Sequence, residues 1–298
     1  MTRTALFSLA FALAASAGAA HAQTAPPAQD EQGIVVTGQK EVPPAVARRY
    51  VSGISSAIDG QLARFVDPVC PMVIGLPDEY ADVVARRVRD AAVEAGADVP
   101  KNPKCAPNII VIVANDADAL VKQMRKEFPG MFAGLGDAQL RRALRDGPVH
   151  VWNTAVIQNE DGIGSKSTGI DRVGNSGAPV LQIKSASNIN LSTQQAVVQS
   201  VVVLDSKALI DKSLAQIGDY VAMRTLAGAR PPRNGTEADT ILSLFDEGAI
   251  APPGMTMIDR SYVAGIYRMR STGKAISQRS TISSQITRES RERSGTKN

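Results

Sequence analysis

The chain of 298 residues holds two histidines, and one of them, His21, falls in an N-terminal leader, so His150 is the one imidazole of the remainder. A serine or cysteine nucleophile needs a base within hydrogen-bond reach, and any Ser-His-Asp or Cys-His arrangement here would have to use His150. His150 sits between Val149 and Val151-Trp152 in a strand-like run, the setting of a structural histidine, and no Gly-x-Ser-x-Gly elbow supplies a nucleophile. A single imidazole also excludes a histidine-rich metal site, so neither metal nor cofactor is expected. The acid pairs Glu160-Asp161 and Asp246-Glu247 are adjacent in sequence, whereas the two carboxylates of a glycosidase face each other across a cleft. With aromatics at 4% and Trp152 the sole tryptophan, a sugar-stacking cleft is disfavoured too. Gly162-Ile163-Gly164-Ser165-Lys166-Ser167 has the look of a phosphate loop, but that loop needs Gly-Lys-Ser/Thr opening a helix. Here the order is Gly-Ser-Lys-Ser and a strand candidate follows, so 162–177 reads as a hairpin loop, a kind of segment that often carries binding residues.

The two cysteines, Cys70 and Cys105, bracket the unit around which the other elements are placed. Prolines 68 and 71 keep 68–75 extended. From Asp78 to Ala95 the apolar Tyr80, Val83, Val84, Val88, Ala91 and Ala92 fall at helical spacing, and Gly96 stops the helix as a left-handed cap. Residues 108–114 then form a nearly unbroken β-branched run, the signature of a buried central strand. A Cys70–Cys105 disulfide is expected, closing a loop that stabilises the fold by roughly 3 to 4 kcal/mol on the chain-entropy model.

That disulfide presupposes an oxidising compartment, and the N-terminus supplies one. A short basic start, an apolar run over 5–19 and Ala20-His21-Ala22 read as a signal peptide cleaved between Ala22 and Gln23. The apolar run is too short for a membrane span. The chain resembles exported proteins of Gram-negative, alphaproteobacterial-like bacteria, which implies a periplasmic or secreted destination. Residues 24–32 are rich in Pro, Ala, Gln and Asp and are expected to be disordered, making 23–42 a linker. Within it, Gly33-Ile34-Val35-Val36-Thr37-Gly38 resembles the TonB box of outer-membrane receptors, which implies a partner bound by strand addition through Ile34, Val35, Val36 and Thr37. A formal charge of +4 calls for no nucleic-acid partner.

The single globular domain is expected over 43–270, as an α+β fold with a mixed sheet of about five strands, flanking helices and a C-terminal helical run. A first helix opens at Pro43-Pro44 with Val46, Tyr50, Ile54, Ile58 and Leu62 on one stripe. Asp116 caps a helix carrying Leu120, Val121 and Met124 that ends at Phe128-Pro129-Gly130, and Asp137 caps a shorter one through Leu140 and Leu144. Strands are expected over 149–157, 178–186 and 196–204. Ser213 with Gln216 makes a capping box for a helix with Leu214, Ile217, Val221 and Leu226 inward. Thr236 starts a second helix through Ile241, Leu244 and Phe245, and Thr256 with Asp259 starts a third. From Arg268 onward eight basic residues stand against Glu289 and Glu292, so 271–298 reads as a solvated, partly helical or disordered tail with an affinity for anionic envelope surfaces.

This element order resembles the zincin metallopeptidase core, in which a mixed sheet precedes the helix bearing His-Glu-x-x-His. Residues 214–223 would stand in that helix's place, but they carry neither histidine nor glutamate, and Asp219 and Arg224 are the charged side chains after the cap. The resemblance implies a catalytically degenerate relative. Two function classes follow: a non-catalytic exported binding or scaffolding protein, and a degenerate or unrecognised hydrolase whose candidate residues are His150 and Asp219.

Overall fold

The computed structural model describes residues 41–102, 104–164, 166–167, 179–184, 191–232 and 235–295. The leader with Ala22 and Gln23, the segment with Ile34, Val35, Val36 and Thr37, and most of the 162–177 loop lie outside these residues. Helix α1 (Pro44–Ile54) starts with proline in its first turn, where the missing N–H costs nothing, and buries Ala47, Tyr50, Val51 and Ile54. The stripe expected to continue through Ile58 and Leu62 stops at Ser55, which is extended. Strands β1 (Ala57–Ile58) and β2 (Gln61–Leu62) pair there instead, around Asp59 and Gly60 with φ of 45° and 78°. An Asp-Gly two-residue turn with both φ positive matches the twist of a hairpin, and this local chemistry overrides the helical spacing of the flanking apolar residues.

After β3 (Arg64–Phe65) and β4 (Pro71–Ile74), helix α2 (Asp78–Ala95) runs to a left-handed Gly96 at φ 86°, as its sequence predicts, and leads to β5 (Ile109–Ala114). Cys70 and Cys105 are joined by a disulfide with Cα atoms 6.0 Å apart, which ties the start of β4 to the approach to β5. Asn108 doubles the clamp: its side chain accepts from Cys70 N at 2.8 Å and donates to Pro68 O at 3.0 Å.

Helix α3 (Ala117–Glu127) is capped by Asp116, whose carboxylate accepts from Ala119 N at 2.9 Å. Helix α4 (Asp137–Ala143) is capped by Gly136 rather than Asp137, which is its first helical residue; Gln139 reaches back to Gly136 N at 2.9 Å and closes the turn. Then come β6 (Val149–Asn159), β7 (Lys166–Ser167), β8 (Pro179–Val180) and β9 (Thr193–Asp205). Among the described residues, the strand expected over 178–186 is limited to β8, which pairs with β7 outside the main sheet.

The main sheet has the order β6-β9-β5-β4. β3 lies alongside the first part of β9 on the edge that β5 occupies further along. β3, β9, β5 and β4 run parallel and β6 is antiparallel to β9, so the sheet is mixed and five-stranded in an α+β fold. Opposite Thr154 and Ala155 stand Gln199 and Val197, leaving Val198 as an extra residue in β9. The bulge switches which side chains of β9 face which way. On one face Val111, Val197, Val202 and Leu204 pack with residues of α1, α2 and the later helices. On the other, Val201, Val203 and Trp152 pack with α3, α4 and Phe132. Both faces are covered, which is why β5 and β9 read as apolar runs rather than alternations.

Helix α5 (Leu214–Leu226) and helix α6 (Met257–Arg268) begin at the expected capping boxes. The helix expected from Thr236 is a single 3-10 stretch, Ile241–Phe245, capped by Thr240. Its first amide donates to the buried carboxylate of Asp259 at 2.9 Å, so a side chain from α6 fixes its start.

The residues read as a solvated tail form helix α7 (Ala275–Gly295), which packs on α6 and α1. Ile282 and Ile286 are fully buried, and Ile282 lies so close to Gly265 of α6 that a Cβ there would stand 2.9 Å from it. Two of its basic residues reach other segments: Arg279 donates to Ser55 Oγ at 2.6 Å and Arg291 pairs with Glu41 at 2.5 Å. Two isoleucines among Ser, Thr and Gln were too sparse to mark a buried face in the sequence. Among the described residues no helix is long and apolar enough to cross a membrane.

Candidate functional site

His150 and Asp219, the two residues singled out for chemistry, do not meet. Side chains alternate along a strand, so His150 points with Trp152 to the α3–α4 face, opposite the face that Val149, Val151 and α5 share. His150 is buried between two oxygens. Nδ1 is 2.8 Å from Ala143 O, and Nε2 is 2.9 Å from Asp118 Oδ1, at ion-pair distance but off the hydrogen-bonding direction. Asp118 also accepts from Gly147 N at 2.9 Å, so the cluster fastens α3 and the end of α4 to β6.

Asp219 is fully buried on α5 and accepts from Arg87 Nε at 2.5 Å, Arg87 Nη2 at 2.9 Å and Met255 N at 2.6 Å. All of its partners are structural. A Cβ on Gly218 would stand 2.6 Å from Arg87 Cβ, and one on Gly254 would stand 2.6 Å from Asp219 Oδ2, so both positions leave room for this bridge. Among the described residues no group of three or more His, Cys, Asp and Glu side chains is placed to hold a metal ion.

The cavity at the β6 edge of the sheet is built from other residues. The capping box at Ser213, with Gln216 N donating to Ser213 Oγ at 3.1 Å, sets the rotation of α5. That rotation brings Tyr220 and, one turn later, Arg224 to the β6 side. The helix stops at Leu226, and two residues on Gly228 has φ +55°, where a Cβ would lie 3.4 Å from Asn153 Nδ2. The chain then turns back so that Arg230 N donates to Ile54 O at 2.8 Å and its guanidinium donates to Ser55 O at 3.3 Å. Arg142 enters from the last turn of α4.

Together these segments line a small chamber of about 110 Å³ whose charged lining among the described residues is Arg142, Arg224 and Arg230. Its remaining polar lining includes Ser56, Gln139 and Asn153; among the described residues no carboxylate, imidazole, thiol or amine lines it. Asn153 is held by Ser200 Oγ, which donates to its Oδ1 at 2.6 Å, and its Nδ2 donates to Arg224 O at 3.3 Å. Arg224 Nη1 donates to the Tyr220 hydroxyl and its guanidinium lies 5.3 Å from that ring's centre. Arg224 Nε is buried without a hydrogen-bond partner.

A second cavity of about 650 Å³ shares Arg142, Val149, Arg224 and Arg230 with the first and adds Tyr220, Pro231, Pro232, Phe245, Arg145, Asp146 and Asp246. Asp146 is engaged by Lys122 at 2.8 Å. Burial pushes the Asp246 carboxyl above the usual carboxylate range. Burial also raises the Tyr220 phenol, against the opposing pull of the Arg224 charge, so Tyr220 stays neutral across the physiological range.

A guanidinium is a permanent cation with a planar fork of donors matched to carboxylate and phosphate oxygens. Three of them, from separate segments, line one small cavity. The sequence carried a faint signal of it: Arg224 is the lone cation on α5 after its cap, and Arg230 stands before a Pro-Pro stop. Nothing in their spacing joins them to Arg142. No protein-family model, curated protein or solved structure matches this chain.

Proposed function

We propose that this chain is a non-catalytic exported binding protein of the Gram-negative envelope, and that its ligand lodges in the arginine-lined cleft between β6, α4 and the end of α5. The observation that carries the reading is the cavity lining, which holds three guanidiniums and, among the described residues, no group able to act as a general base or as an activated nucleophile. Export rests on the signal-peptide pattern of 1–22 and accords with the disulfide. An envelope partner engaging 33–38 by strand addition remains part of the proposal on its sequence alone. The hydrolase alternative draws no support from His150 and Asp219, each of which is spent on structural contacts on opposite faces of the sheet.

Native mass spectrometry of the protein released from envelope extract tests this directly. A small molecule retained by the wild type and lost by Arg224→Met is the expected result. Turnover of ester, peptide or glycoside substrates that disappears in His150→Ala would overturn the non-catalytic reading.

A further inference from the structure

We infer that His150 is a pH-dependent latch, fastening α3 and the 143–149 segment to β6 while its ring carries two protons and releasing them when it loses one; the latch itself requires no ligand. A neutral imidazole has one N–H and one bare nitrogen, whereas an imidazolium donates from both. Nδ1 stands 2.8 Å from Ala143 O and Nε2 stands 2.9 Å from Asp118 Oδ1, and a carbonyl and a carboxylate can only accept. One ring proton therefore serves Ala143 O and leaves a lone pair against the Asp118 carboxylate. The second proton turns that contact into an ion pair, which needs proximity rather than the hydrogen-bonding direction that Nε2 lacks. With the His150 side chain 1% exposed, bulk water screens neither arrangement.

The charged groups around the ring come from few elements. Helix α3 supplies Asp118 and Lys122, and the turn before β6 supplies the exposed Arg145 and Asp146, the latter engaged by Lys122 at 2.8 Å. Lys122 is the chief cause that holds the Asp146 carboxyl below the usual carboxylate range, with a smaller pull from His150. Helix α4 brings Arg141 and Arg142 in its last turn, the first exposed and the second on the cleft lining. At the end of β9, Asp205 accepts from Lys207 N at 2.9 Å. Opposite His150 on β9 stands Val203, and Val201, Trp152 and Phe132 complete an apolar surround. Among the described residues, Asp118 is the one ionisable group at ion-pair distance from the ring. Its side chain is 37% exposed, so it is free to turn to water once the ring loses its charge, and it then drops the Gly147 amide that it accepts at 2.9 Å. Gly147, Pro148 and Val149 line the outer cavity, so the latch holds one wall of the cleft from behind. Histidine is the side-chain type that ordinarily changes charge between about pH 5 and 8, which makes the fastening complete on the acid side and lost as pH rises.

The test follows the imidazole and the Gly147 amide by NMR on the chain lacking residues 1–22, in which His150 is the one histidine and its ring signals need no assignment. At about pH 5.5 both ring nitrogens should carry protons, and at about pH 8.5 only one. The hydrogen-exchange protection factor of Gly147 should fall by roughly tenfold over the same range, the scale of one charge-assisted contact. Asp118→Asn keeps an acceptor for Gly147 and offers the neutral ring a donor, so its protection factor should vary by less than about twofold. Lys122→Gln removes the neighbouring charge and should leave the wild-type pH dependence in place. An unchanged far-ultraviolet spectrum certifies both variants, each altered at a side chain that reaches solvent. A ring with a single proton at both pH values, or a Gly147 protection factor indifferent to pH, overturns the latch. So does a pH dependence that survives in Asp118→Asn or disappears in Lys122→Gln. None of these readouts involves a bound molecule, so the latch and the binding role stand or fall separately.

Discussion

The Arg87–Asp219 bridge allows a sharp test, because its two ends have unequal access to water. The Arg87 side chain is 38% exposed and that of Asp219 is 1% exposed. In Asp219→Ala, Arg87 can turn to solvent, so the loss is confined to the buried Met255 amide, about 1 to 3 kcal/mol for an unsatisfied group, plus the net worth of the severed pair. In Arg87→Ala, the carboxylate stays buried with one remaining donor, Met255 N, and stranding a buried charge costs about 3 to 5 kcal/mol. The larger truncation effect is therefore expected at the more exposed partner. The Ala-Ala double variant should cost about 2 kcal/mol less than the sum of the singles, since each single already breaks the same contact. Urea titrations of the four species measure the cycle, and Arg87→Ala should lower the melting temperature by on the order of 10 °C. If both singles stay within about 0.5 kcal/mol of wild type, or the double is additive, the bridge is not what joins α2, α5 and the segment before α6. An Asp219 variant that folded with full stability but lost a hydrolytic activity would reverse the structural assignment altogether.

Reduction of the Cys70–Cys105 disulfide, or Cys70→Ser with Cys105→Ser, should lower stability by about 3 to 4 kcal/mol in urea titration, from the entropy of a loop with a separation of 35 residues. An unchanged midpoint under reducing conditions would show that the Asn108 clamp alone suffices. Burial raises the phenol pKa of Tyr50, Tyr220, Tyr262 and Tyr267, with desolvation the leading cause in each. A raised folded-state value means that stability is fully present below the ordinary tyrosine range and is lost above it, as the unfolded chain ionises first. Four of the five tyrosines should thus ionise only with unfolding above about pH 10, which ultraviolet titration of tyrosinate alongside circular dichroism can follow. Reversible ionisation of more than one tyrosine in the folded protein would refute the burial argument.

The fold class was legible because its strongest signals are local and repetitive. The β-branched run before Asn115, the Asp116 cap, the Ser213 and Thr256 boxes and the Gly96 stop each specify an element within a few residues, and all of them are present. The misreadings fell where local and distant terms compete. At Ile58 and Leu62 the helical spacing of five apolar residues yielded to the Asp59-Gly60 turn, a signal that was in the sequence and outweighs spacing. At the C-terminus, α7 buries Gln278, Ser283 and Thr287 together with two isoleucines, and such a face looks polar until its partners on α6 and α1 are known.

By itself, the sequence determined the α+β class, the mixed sheet and the cysteine pairing, since each follows from composition or from spacing within one element. Only the tertiary structure decided which side chains share a space. It sent His150 and Asp219 to opposite faces of the sheet through the two-residue alternation of β6, and it gathered Arg142, Arg224 and Arg230 from three separate segments around one chamber. The physical reason is that a binding site is a property of proximity among residues far apart in the chain. Strand register, helix rotation and the turn at Gly228 set that proximity jointly, and no window of sequence contains all three.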